Sequence, residues 1–294
     1  MQKNGQFLDV FVSAKRRLTF GDGTGRETWI SLGIFAEACK LAAAGLGLGT
    51  QIDLVQGNPA YARLSFLEHA PSAADATLNA HMDTRYSDRS IFSDQTIASE
   101  VLAALGQVQA AEGCTVYVSA EQPLVQQVAQ LTRQGISIAL SSPDFRNELA
   151  EWVTRRGASR PIGIPAESLR LGAIREYIEP FLLKKGWGLK KEIAVEYARW
   201  HSAQAVLFVL TEGDTTAAWF NAGRTYLRAV LAATAAGLSH STSASIVEAS
   251  TFHEDIEQAI GTTKRLQCVI RLGYGRTKGY KPLTPRLKSS ELTE

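Results

Sequence analysis

Two arginines four residues apart offer the clearest chemistry in this chain. In RYSDRSIF, residues 85–92, Arg85 and Arg89 flank Ser87, Asp88 precedes the second arginine, and Phe92 closes the run. On a helical turn the two arginines would project to one side. On a strand their even separation would put them on one face. Planar guanidinium groups bind phosphate oxygens in fork geometry, and the Ser87 hydroxyl would add a donor. The plain alternative is a polar turn ahead of a helix that starts near Asp94. The C-terminal region supplies a complement. Gly261 to Ser290 contains no acidic residue but carries Lys264, Arg265, Arg271, Arg276, Lys278, Lys281, Arg286 and Lys288. A strand leading into LTPRLKSSEL can deliver Arg286 at a fixed place as a third cation.

Other chemistries find little support. GDGTG (21–25) lies between a strand and a helix, but Arg26 stands where a dinucleotide fingerprint needs glycine, and the GxxxxGK[ST] spacing is missing. It reads as an ordinary turn. No GxSxG elbow exists. HEDIE (253–257) is a helix start with acidic residues in its first turn, favourable to the helix dipole, and is not HExxH. Cys39, Cys114 and Cys268 are isolated, and histidines 69, 81, 201, 240 and 253 are scattered, so no metal site is expected. An odd number of scattered cysteines suggests a reducing compartment.

The elements that must position these residues follow from composition and pattern. With 294 residues, 45% apolar and 20% charged, the chain can build one large domain or two moderate ones. A net charge of +2 argues against a nucleic-acid partner. The N-terminus has no signal-peptide run, and apolar stretches such as LAAAGLGLG are far too short to span a membrane. A soluble cytoplasmic protein without a membrane partner is the expectation. QFLDVFV (6–12), TQIDLV, ARLSFLEHA, CTVYVSA, AQAVLFVLTE and RLQCVIRLGYG read as strands. Residues 28–46 and 217–237 read as long helices so apolar around their circumference that they must be buried. Residues 95–111, 121–134 and 145–157 read as further helices. Residues 157–190, punctuated by Gly157, Pro161, Gly163, Pro165, Gly172 and Pro180, read as a lid or long excursion.

The two long helices also resemble each other. At an offset of 190, Trp29/Trp219, Gly33/Gly223, Leu41/Leu231, Ala42/Ala232, Ala43/Ala233, Gly47/Gly237 and Leu48/Leu238 coincide without a gap. Two readings stand: convergence of buried Ala/Gly-rich helices, or an internal duplication whose halves pack through these helices.

Taken in order, these segments resemble the FMN-binding nitroreductase superfamily, and most of all its single-chain branch with two nitroreductase-like halves. LDVFVSAKRRLTFGDGTGRETWISLG is similar to that branch's strand, turn and first central helix. RYSDRSIF resembles the arginine-rich motif opening the second half, and FRNELAEWV with IGIPAESL its lid. AGRTYLRAVLAATAAGLSHSTSASIVE resembles the second central helix and following loop, and VIRLGYG with TPRLKSSEL the closing strand and tail. The resemblance implies an α+β fold with antiparallel or mixed sheets: a truncated first half over 1–76 and a second half over 77–294, with its lid near 157–190. It implies FMN as cofactor. Arg85, Ser87 and Arg89 would meet the phosphate, ribityl chain and pyrimidine edge, Arg286 the phosphate, and the loop Ser241, Thr242, Ser243 the ring through its backbone. No catalytic acid or base is implied, since the flavin would carry hydride from NAD(P)H to a nitro or quinone acceptor. The family's ring-lining Pro-Ser-x-x-Asn segment has no counterpart here, Tyr86 replaces the usual second arginine, and Leu287-Lys288 stand where Arg-Pro is usual. The rival expectation is therefore a non-catalytic protein that sequesters flavin or serves as a cofactor-less partner. The chain is expected to be monomeric as an internal pseudo-dimer, or to receive the missing segment from a partner.

Overall fold

A computed structural model describes residues 2–4, 6–13, 16–57, 59, 61–155, 162–166, 168–169, 172, 174–275 and 290. In chain order its elements are β1 (Gln2–Asn4), β2 (Phe7–Phe11), α1 (Arg26–Gly45), β3 (Gly49–Val55), β4 (Tyr61–Leu67), α2 (Ala73–Asn79), α3 (Ser99–Gly106), β5 (Cys114–Ser119), α4 (Gln122–Ser141) and α5 (Pro143–Trp152). There follow β6 (Val153–Thr154), β7 (Ile164–Pro165), α6 (Arg175–Lys185), α7 (Leu189–His201), β8 (Ala205–Thr211), α8 (Thr216–Ala235), β9 (Ser239–Ser243), α9 (Ser245–Glu248), α10 (Phe252–Ala259) and β10 (Arg265–Gly273). The fold mixes helix and sheet in the α+β manner.

Two four-stranded antiparallel sheets share one plan. The first runs β1-β2-β4-β3 and the second β5-β8-β10-β9. In each, a long helix connects the second strand to the outer one, and the last strand of the unit inserts between them. All seven residues of β8 are buried. Its run AVLFVLT has apolar side chains for both faces, as a strand covered on both sides requires.

The helices α1 and α8 lie between the sheets. On one side Val10, Ala62 and Leu64 pack on Leu32, Ala36 and Phe220. On the other, Leu207, Val209, Ile270 and Leu272 pack on Ile30, Leu41, Leu227 and Leu231. The far face of the second sheet, with Val206, Phe208 and Val269, is covered by Val125 and Val128 of α4, Trp200 of α7, Ile246 and Ile256.

The small residues allow this closeness. A Cβ added at Gly33 would sit 1.9 Å from the Phe220 carbonyl oxygen, and one added at Gly223 would sit 2.0 Å from that of Ile30. The two contacts exchange under the 190-residue offset, as the contacts of a two-fold interface do. Both helices end alike, at Gly47 (φ 81°) and Gly237 (φ 74°). The amides of Leu48 and Leu238 donate back to the carbonyls of Ala43 and Ala233, a Schellman-type cap. Buried Glu37 of α1 takes Arg224 (3.0 Å) and Arg228 (2.6 Å) of α8, and Arg228 also reaches Asp75 of α2 at 2.7 Å.

Several boundaries differ from the sequence pattern. The helix expected over 95–111 spans just Ser99–Gly106, for Gly106 disfavours its continuation. The helix expected over 121–134 runs on to Ser141. It passes Gly135, where a Cβ would meet the Ser245 carbonyl oxygen at 2.4 Å. The segment expected as a punctuated lid contains α6, and the pattern gave no sign of α7. Residues 241–243, expected in a loop, belong to β9.

Candidate functional site

The free side of β9 is where the arginine motif arrives. β10 pairs with one edge of β9. On the other edge Ser87 forms a parallel bridge with His240, and the Asp88 amide donates to the His240 carbonyl at 2.8 Å. Opposed residues of a bridge point to the same side, so Ser87 shares the face of His240 and, by alternation, of Thr242. That face looks toward α8. The Thr242 hydroxyl lies 2.9 Å from the hydroxyl of Tyr226, a residue of α8.

A buried arginine fixes the motif from behind. Arg271 of β10 donates through Nη2 to the carbonyls of Asp88 and Ser90, both at 2.8 Å, and through Nη1 to the Arg199 carbonyl at 2.8 Å. Its guanidinium stacks 4.0 Å from the centre of the Phe92 ring. The turn is tightened further by the Asp88 carboxylate, which accepts from the Ser90 amide at 2.9 Å. A Cβ at Gly275 would meet that carboxylate at 2.4 Å, so glycine lets the chain after β10 pass. Burial pulls the Arg271 pKa down to about 10, against the nearby charges of Glu196 and Asp88. It therefore stays charged near neutrality.

Arg85 and Arg89 are both half-buried. Burial lowers the pKa of Arg89, with Glu196 opposing and Arg199 adding to the fall. Burial raises the Tyr226 pKa, against its bond to Thr242 and the charge of Arg85. Arg89 in turn feels Tyr226. Among the described residues neither Arg85 nor Arg89 makes a hydrogen bond or ion pair to a carboxylate, in contrast to Arg26, Arg63, Arg175, Arg199, Arg224 and Arg228. Two half-buried guanidinium groups on one short segment can hold an anion through charge-assisted hydrogen bonds.

His240 is the bridge partner of Ser87. It is 1% exposed, and both its ring nitrogens are without a partner among the described residues. Burial, then the charge of Arg85, push its pKa down to about 3, with Asp88 opposing. The ring is neutral at any ordinary pH.

Of the residues singled out in the sequence, the fold brings Arg85, Ser87, Arg89 and Thr242 to one neighbourhood. Ser241 and Ser243 alternate to the opposite face, where the Ser243 hydroxyl lies 2.8 Å from that of Ser245. Arg286 lies outside the described residues. Sequence reading did not find Tyr226, His240 or Arg271 as members of the site. Tyr226 and Arg271 sit in apolar helix and strand patterns that read as core. An open pocket lined by Ile91, Asp94, Gln122, Tyr197, His201 and Gln204 lies further along the motif. It holds no arginine or lysine, so it does not extend the cationic site.

No protein-family model matches the chain, and no curated protein matches it. Similar solved structures exist. One is the FMN-dependent nitroreductase NfnB from Mycobacterium smegmatis in complex with NADPH, 18% identical over 74% of this chain and 98% of that one, TM-score 0.47. A second is a nitroreductase with bound FMN from Desulfitobacterium hafniense, 16% identical over 70% and 91%, TM-score 0.43. A third is oxidised iodotyrosine deiodinase bound to FMN and 3-iodo-L-tyrosine, 15% identical over 72% and 95%, TM-score 0.44.

Proposed function

We propose that this chain binds FMN with the phosphate against Arg85 and Arg89. So loaded, it is an oxidoreductase of nitroreductase type that takes hydride from NAD(P)H and delivers it to a nitro or quinone acceptor. The observation that carries the reading is the pair of half-buried guanidinium groups that make no ion pair among the described residues, set beside an edge strand. When bound, the flavin supplies the redox chemistry. The chain's own residues bind and orient. Arg85 and Arg89 neutralise the phosphate, Ser87 adds a hydroxyl donor, and Arg271 holds the turn that carries all three. Arg286 is proposed as a further phosphate contact, and the backbone of Ser241, Thr242 and Ser243 as a neighbour of the ring. The same reading treats 1–76 and 77–294 as two nitroreductase-like halves. The shared sheet plan and the reciprocal Gly33 and Gly223 contacts support it.

The rival reading is FMN storage without turnover.

A fluorescence titration of FMN and riboflavin tests the binding. Arg85→Ala and Arg89→Ala should each weaken FMN by about one to two decades, since a charge-assisted bond contributes roughly 1.5–3 kcal/mol. Riboflavin, which lacks the phosphate, should be nearly indifferent. Unchanged FMN affinity, or equal loss for both ligands, would sink the reading. Bleaching of the bound flavin by NAD(P)H separates enzyme from store.

A further inference from the structure

Helix α6 is built inside out. Its buried residues are Glu176, Glu179 and Leu183. Its outward stripe is Ile174, Tyr177, Ile178 and Phe181, exposed by 83%, 56%, 46% and 52%, and Trp187 just beyond is 61% exposed. These positions follow the i, i+3, i+4, i+7 spacing of one helix face. Phe181 and Trp187 meet edge to face at 5.8 Å between ring centroids, so the ridge is continuous past the helix end. Of the large exposed apolar side chains described, five of eleven fall in these fourteen positions, far beyond the single scattered cases that need no explanation.

The fully exposed charges of residues 174–191 are all lysines. Lys184, Lys185, Lys190 and Lys191 are all exposed. Between residues 174 and 191 both acids, Glu176 and Glu179, are turned inward, and Glu179 is paired with Arg175 at 2.7 Å. Lys185 also lies 5.9 Å from the centre of the Phe181 ring. The helix is held in this orientation from below. Leu183 packs with Leu140, Ala150 and Val153, and Arg146 Nε donates to the Leu183 carbonyl at 3.1 Å.

We infer that this ridge docks on the surface of an anionic lipid bilayer. An aliphatic and aromatic stripe with tryptophan and tyrosine, bordered by lysines, is the arrangement that seats a helix in the headgroup boundary. The lysines complement an anionic surface. A second copy of the chain fits less well. Two-fold pairing would bring this surface against itself and set its four lysines against their own images. The expectation of no membrane partner rested on unbroken apolar runs, which report spanning helices. Indeed no described helix is long and apolar enough to cross a membrane. A surface helix spaces its apolar residues and leaves no such run.

The test is co-sedimentation of the full chain with vesicles, alongside tryptophan fluorescence. Binding to vesicles rich in phosphatidylglycerol should exceed binding to pure phosphatidylcholine by on the order of a hundredfold, and should fall with added salt. Each of Lys184→Gln, Lys185→Gln, Lys190→Gln and Lys191→Gln should lower it by about fivefold. Phe181→Ser should abolish it with an unchanged circular dichroism spectrum. A blue shift on binding should vanish in Trp187→Phe while that variant still sediments. No binding, or equal binding to both vesicle types, overturns the inference. So does a dimer in solution that Phe181→Ser converts to monomer with no vesicle binding. None of these readouts depends on flavin.

Discussion

His240 carries a neutral imidazole where none of its ring nitrogens finds a described partner. Its folded pKa, about 3, lies below the ordinary 6.5. Between these values the unfolded chain binds a proton that the folded one refuses. Stability contributed by this residue is therefore complete above about pH 6.5 and is lost as pH falls. Moving from pH 7 to pH 5 should cost the wild type about 2 kcal/mol more than His240→Leu, measured by urea unfolding at both pH values. Identical pH slopes would mean the ring is solvated or paired. Arg271 makes a different case. Its three carbonyl partners need the geometry of a guanidinium fork, which a lysine ammonium cannot span. Arg271→Lys should destabilise by about 2–4 kcal/mol through the orphaned carbonyls. It should also weaken FMN through displacement of the arginine turn. A variant of full stability and full affinity would remove Arg271 from the site.

The elements that matter most are α1 and α8, and glycine sets their separation. Any side chain at Gly33 or Gly223 collides with a carbonyl of the opposite helix rather than with a movable side chain. Gly223→Ala should therefore destabilise by roughly 1–3 kcal/mol, as overpacking does, and Gly33→Ala by a similar amount. The double variant should cost less than the sum, because one shift of the helices relieves both collisions. Additive losses would place the two contacts in independent regions. The ion pairs between the same helices act in the other direction. Glu37 is 1% exposed and serves two arginines. Glu37→Ala would leave Arg224 without its carboxylate and Arg228 with Asp75 alone, with an expected loss of about 3–5 kcal/mol in denaturant melts.

At the scale of the whole molecule, the two central helices pack on each other between the sheets, which is what the proposed pair of halves in one chain requires. Both sheets bury their inner faces on these helices within one chain. If the proposed two halves complete one site, no second copy is needed for it. Sedimentation equilibrium should report a monomer with and without FMN. An obligate dimer that shares its flavin between two chains would contradict the pseudo-dimer arrangement.

The sequence by itself determined the central helices, their burial and their mutual likeness. Period and composition are local properties, and Ala/Gly-rich helices without charged faces have nowhere to go but inside. It also determined the strands on either side of them, and it marked Arg85, Ser87 and Arg89, whose spacing is meaningful on helix or strand alike. Tertiary structure decided the rest. That Ser87 pairs with His240, 153 positions away, depends on which sheet edge is open, and no local pattern records an edge. Arg271 looked like one more basic residue near the C-terminus. Its burial on three carbonyls follows from where β10 falls in its sheet. Likewise α6 reads as a punctuated excursion because its intrinsic signals conflict, with Pro180 in its interior and its acids turned inward. The apolar stripe became visible once packing on Leu140, Ala150 and Val153 fixed which side faced the protein, since a helix's exposure is a property of its neighbours and not of its own residues.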